Sequence, residues 1–124
     1  MWIAMWSGPR NISTALMRSW ENREDTAVSD EPFYGAYLKE TGLDHPGRDE
    51  IVEAMESDGE KVLKYITGPI PDSKVIWYQK HMAHHMLADW SLDWLEKVTS
   101  CFLIRDPKEV ILSYSKKFEI RSLD

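Results

Sequence analysis

The chain has 124 residues, 43% of them apolar, with 6 Trp and a net charge of −6 at pH 7. That is one small domain, or part of one, with enough apolar material for its own core, so neither disulfides nor a structural metal are needed to hold it together. The acidic balance excludes a broad nucleic-acid or anionic-membrane surface, while a local basic site for one small anion stays open.

The first expected element is the apolar run WIAMW (2–6), which suits a strand covered on both faces. It breaks into Ser7-Gly8-Pro9-Arg10-Asn11, and a helical pattern follows over 13–22, with Leu16, Met17 and Trp20 on one face. TAVSD (26–30) is the second expected strand, and Glu31 follows it directly. Residues 33–73 carry Gly42, Pro46, Gly47, Gly59, Gly68, Pro69 and Pro71, a pattern of short helices joined by turns. Within that stretch Ile51, Val52 and Met55 predict a helix over 48–57.

KVIWYQK (74–80) is the third expected strand, which puts His81 just beyond its end. Helical spacing would bring His81, His84 and His85 to one face, but no HExxH Glu and no Cys pair accompanies them, so no metal is expected. Trp77, Trp90 and Trp94 read as packing residues. SCFLIRD (100–106) is the fourth strand, with Arg105 near its end, and the single Cys101 reads as a small core residue. Pro107 suits a first helical position, and Val110, Ile111 and Tyr114 supply the stripe behind it. The N-terminus has no basic segment ahead of an apolar core, and no run approaches the roughly 20 residues that span a bilayer. A cytoplasmic protein without a membrane span is expected.

Strands that alternate with helices imply parallel βαβ units, with ligands bound beyond the carboxyl ends of the strands. Ser7 to Asn11, Glu31, His81 and Arg105 would then share one edge. The first loop has the makings of an anion site, because it offers backbone N–H groups and the positive end of a helix. Gly8 allows close approach, Arg10 adds charge, and Ser13 and Thr14 add hydroxyls. The plainer alternative is a tight turn at Gly8-Pro9 with Ser13 as the helix cap. The loop lacks the Gly-Lys-Ser/Thr that holds a triphosphate and Mg²⁺, which disfavours a P-loop kinase.

GPRNISTAL (8–16) resembles the 5′-phosphosulfate loop of sulfotransferases that use PAPS (3′-phosphoadenosine-5′-phosphosulfate), and FLIRDPKEVILSY (102–114) resembles their 3′-phosphate motif, with Arg105 and Ser113 eight residues apart. The resemblance implies an α/β fold, a parallel sheet flanked by helices in a P-loop NTPase-like three-layer sandwich. It implies sulfuryl transfer from PAPS to a hydroxyl or amine of a small-molecule acceptor, without a metal. Gly8, Pro9, Arg10, Asn11, Ile12, Ser13, Thr14, Arg105 and Ser113 would bind the donor, with Arg10 also facing the leaving oxygen. Glu31 is the favoured base and His81 the second candidate, each by its place after a strand. Asp30 is a third carboxylate nearby, but strand alternation points it away from Glu31.

Two departures stand out. Ile12 replaces a Gly common in the loop, and the chain stops soon after the 3′-phosphate helix, where relatives usually continue. One sulfotransferase-like domain over residues 1–124 is expected, without the C-terminal part of the family fold. A non-catalytic nucleotide-binding module is the alternative function. The open sheet edge of so short a domain makes a homodimer plausible.

Overall fold

In a computed structural model of the chain, residues 1–8 and 11–118 are described. They form a four-stranded, all-parallel sheet in the order β2-β3-β1-β4, with helices on both faces. The strands are β1 (Trp2–Ser7), β2 (Thr26–Asp30), β3 (Ile76–Met82) and β4 (Thr99–Leu103). The helices are α1 (Ser13–Glu21), α2 (Tyr34–Thr41), α3 (Arg48–Ala54), α4 (Gly59–Ile66) and α5 (Pro107–Phe118). The expected α/β architecture is therefore present, and the stretch 33–73 does resolve into three short helices.

The handedness of parallel crossovers accounts for the layering. From β1 to β2 the chain moves one way across the sheet and lays α1 on one face. From β2 to β3 and then past β1 to β4 it moves the other way, so α4 and the loop after β3 cover the opposite face. Strand alternation divides the core accordingly. Ile3, Met17 and Tyr78 are buried on the α1 side, with Leu16, Trp20 and Cys101 packed against them. Ala4, Trp6, Phe33, Val62, Ile66 and Trp94 are buried on the α4 side. Gly35 is the tightest point, since a Cβ there would lie 2.9 Å from the Met55 Cβ and 3.1 Å from the Glu56 carbonyl oxygen. Met55 is extended, so α3 ends at Ala54 and not near residue 57.

β1 runs one residue beyond its expected end, and β3 and β4 differ more, because partners set their bounds. β3 begins two residues late: Lys74 N–H closes a turn onto the Pro71 carbonyl, and the Val75 and Ile76 N–H groups both donate to Asp25 O. It also runs two residues further, because β1 reaches Ser7 and pairs Trp6 with His81 and Ser7 with Met82. His81 is thus inside the strand, and His84 and His85 sit in a separate 3₁₀ turn (Ala83–His85), not on a helix with it. β4 stops at Leu103, opposite Ser7, where its neighbour ends. Arg105 consequently stands in the loop between β4 and α5.

Candidate functional site

The carboxyl ends of β1 and β4 lie side by side. Ser7 pairs with Leu103, so the loop leading to α1 and the segment leading to α5 depart from adjacent positions. Asn11 ties them together across 92 residues of sequence, donating from Nδ2 to the Leu103 carbonyl at 3.2 Å. Its Oδ1 accepts the Ile12 N–H at 2.9 Å. Ile12 then occupies the N-cap of α1, and no side chain caps that helix. Ser13 is buried and begins the helix, so the reading of Ser13 as the cap is not what forms. Helix geometry leaves the first N–H groups of α1 without intrahelical partners, and they carry the positive end of the dipole. Among the described residues, chain neighbours aside, no atom lies within 4 Å of where a Cβ on Gly8 would be. Pro9 and Arg10, both predicted donor-site residues, lie outside the described residues.

The residue that sequence reasoning missed is Lys80. It is 5% exposed, and its Nζ donates to Thr14 Oγ1 at 2.9 Å. The same Nζ lies 3.3 Å from Asp30 Oδ1 and 3.6 Å from Glu31 Oε2. One cation therefore gathers the first turn of α1 and both carboxylates at the end of β2. Strand alternation led us to expect Asp30 and Glu31 to point apart. Asp30 does share a face with Lys80, its register partner. Glu31 breaks the alternation, because its φ of +48° places it in the left-handed region, where its N–H meets the Lys80 carbonyl at 2.9 Å. Such a backbone costs a non-glycine residue about 1–2 kcal/mol, and it turns the Glu31 carboxylate back onto Lys80. The signal available in the sequence was a Lys within the polar run Gln79-Lys80-His81 that follows the apolar start of β3.

His81 faces the other way. It is 1% exposed and stacks on Trp6 at 4.9 Å, with Trp94 at 5.6 Å and Phe33 at 5.8 Å. Burial, with His85 adding to it, lowers its pKa to about 3, so the ring is neutral at pH 7. Gln79 spends its amide N–H on the Ile66 carbonyl at 2.8 Å, leaving its Oε1 to accept from His81 Nε2 at 3.0 Å. That assigns the proton of the neutral ring to Nε2. The sheet separates His81 from Lys80 and Glu31, so the two candidate bases do not share a site.

Arg105 is exposed in the loop after β4, and Ser113 is half-buried on α5. Asp106 starts that helix, its Oδ1 accepting the Lys108 N–H at 2.8 Å. Taken together, the cluster offers an uncapped helix end, hydroxyls and a buried cation beside two carboxylates. This donor set fits an anion carrying phosphate or sulfate oxygens.

Two curated proteins of Arabidopsis thaliana resemble the chain: branched-chain-amino-acid aminotransferase-like protein 2, 40% identical over 114 residues, and protein 1, 41% identical over 117. Each alignment covers 92% of this chain but only 20% of the relative, so the chain spans about a fifth of their length. No solved structure matches the chain. The family model described as Sulfotransferase domain matches residues 1–124, and the chain belongs to that family.

Proposed function

We propose that the chain transfers a sulfuryl group from PAPS to a hydroxyl or amine of a small-molecule acceptor. The observation that carries this reading is the Asn11 bond to Leu103, which joins the first loop to the segment bearing Arg105. In this reading Ser13, Thr14 and the free N–H groups at the start of α1 hold the 5′-phosphosulfate, and Gly8, Pro9, Arg10, Asn11 and Ile12 shape the loop around it. Arg105 and Ser113 take the 3′-phosphate, with the guanidinium fork matching the phosphate oxygens. PAPS supplies the sulfuryl group and departs as adenosine 3′,5′-bisphosphate.

Chemistry on the protein side falls to three residues. Glu31 accepts the proton that the acceptor oxygen or nitrogen loses as its bond to sulfur forms. Arg10 neutralises the charge left on the phosphate oxygen when the S–O bond breaks. Lys80 is a positioning residue that holds Thr14 and Glu31 in one arrangement. His81, neutral and enclosed by aromatic rings, supports the fold and leaves the base role to Glu31.

Transfer of labelled sulfate from PAPS to a panel of alcohols, phenols and amines tests the proposal. Glu31→Gln should lower turnover by roughly 10²–10⁴, the usual worth of a general base, with affinity for adenosine 3′,5′-bisphosphate unchanged. Full turnover in that variant removes Glu31 as the base. Tight binding of the bisphosphate with no transfer to any acceptor would make the chain a binding module instead.

A further inference from the structure

The ladder between β1 and β4 ends with the pair Ser7 and Leu103. Past it the first loop leads to α1, and residues 104–106 lead to α5. In the sulfotransferase reading these two segments carry the two halves of one ligand site. The 5′-phosphosulfate lies at the start of α1, and the 3′-phosphate lies at Arg105 and Ser113. Both groups hang on one ribose, so the spacing of the two halves must match the spacing of the two phosphates.

Asn11 connects the halves. Its Nδ2 donates to the Leu103 carbonyl at 3.2 Å, two residues before Arg105. Its Oδ1 accepts the Ile12 N–H at 2.9 Å, at the N-cap of α1. These partners fix the orientation of the amide, because a carbonyl can only accept and a backbone N–H can only donate. Each end of the side chain is thus engaged within the protein, one on each segment, and neither bond requires a ligand. The same contact bears on Ile12, where the loop departs from the family pattern. With its N–H taken up by Asn11, Ile12 is pinned by a neighbouring side chain. Its carbonyl accepts the first backbone bond of the helix, from the Leu16 N–H at 3.0 Å. The N–H groups of Ser13, Thr14 and Ala15 are then the ones without intrahelical partners.

We propose that Asn11 is a positioning residue that sets the spacing of the two phosphate sites, and so makes the site favour an adenine nucleotide with both a 5′ and a 3′ phosphate over one with a single phosphate. The proposal rests on the sulfotransferase reading. A nucleotide whose 5′-phosphate is seated meets a 3′-phosphate site already held in place, and the second contact forms without a further cost of ordering the segment that makes it. Without the amide bridge, the second phosphate must order its own half of the site.

Calorimetry with adenosine 3′,5′-bisphosphate and with adenosine 5′-monophosphate tests this in the parent, in Asn11→Ala and in Asn11→Ser, whose side chain is too short to reach Leu103. The quantity read is the ratio of the two affinities, which measures what the 3′-phosphate adds once the 5′-phosphate is bound. In both variants that ratio should fall about 3- to 10-fold, the worth of one hydrogen bond. A urea midpoint for each variant ensures that folded protein is compared, and either variant alone decides. A side chain that only shapes the first loop would weaken both ligands by the same factor. An unchanged ratio therefore overturns the proposal and leaves the bisphosphate site standing. If the parent itself binds the bisphosphate no more tightly than the monophosphate, the sulfotransferase reading fails and the proposal falls with it.

Discussion

Lys80 shows how much of the site depends on one side chain. Its Nζ is the common partner of Thr14, Asp30 and Glu31, and its side chain is only 6% exposed. Replacing it with Met leaves Thr14 without its donor and two carboxylates facing each other with no cation between them. Both carboxylates are partly solvated, at 44% and 27% exposure, so the loss should fall at about 1–3 kcal/mol, below that of a fully buried pair. Urea denaturation of Lys80→Met measures this, and a midpoint equal to the parent's would mean that the cluster carries no stability. Lys80→Arg should fail to restore it, because the planar guanidinium does not fit where a single ammonium meets three oxygens. The sequence contained this residue in plain view, yet strand alternation alone could not reveal it. The left-handed backbone at Glu31, which brings the second carboxylate round, is a local departure that residue types do not announce.

At the scale of the element, β3 buries an unusual polar run, Gln79-Lys80-His81, and each member is satisfied by a different neighbour. His81 and the nearby His85, 3% exposed, are both held neutral by burial, with pKa values lowered to about 3. In the unfolded chain each returns to about 6.5. Between those values the unfolded state binds protons that the folded state does not, so stability is complete above about pH 6.5 and is lost as pH falls. From pH 7 to pH 5 the expected loss is about 2 kcal/mol for each histidine. Urea midpoints at the two pH values check it, and His81→Phe should show about half the parent's loss. An unchanged pH response in that variant would contradict the burial argument. β1, β2 and α1 were legible in the sequence because their apolar patterns match the periods of strand and helix. The ends of β3 and β4 were not, since β3 is capped by polar residues paired in the tertiary structure and β4 stops where its neighbour stops.

For the whole molecule, the strand order decides what the motifs can do together. Asn11 and Leu103 meet because β4 lies beside β1, and linear order alone does not specify that neighbourhood. The resemblance of the two motifs did bring them into one account before their adjacency was visible. It also named Pro9 and Arg10, which lie outside the described residues. Glu31 and His81 do lie at one edge, as the alternation of strands and helices implied, but on opposite faces of the sheet. Among the described residues β4 is an outer strand of the sheet, and Phe102 on it is 71% exposed. The central claim is that β1, β4 and the segments leaving them form one site for a 3′-phosphorylated adenine nucleotide. Calorimetry with adenosine 3′,5′-bisphosphate, with and without Mg²⁺, for the parent chain and Arg105→Ala, tests that claim most directly. The expected result is binding that does not need Mg²⁺ and weakens about 10- to 100-fold in Arg105→Ala, the worth of a charge-assisted phosphate contact. Absence of binding, equal affinity in the variant, or a preference for ATP with Mg²⁺ would contradict it.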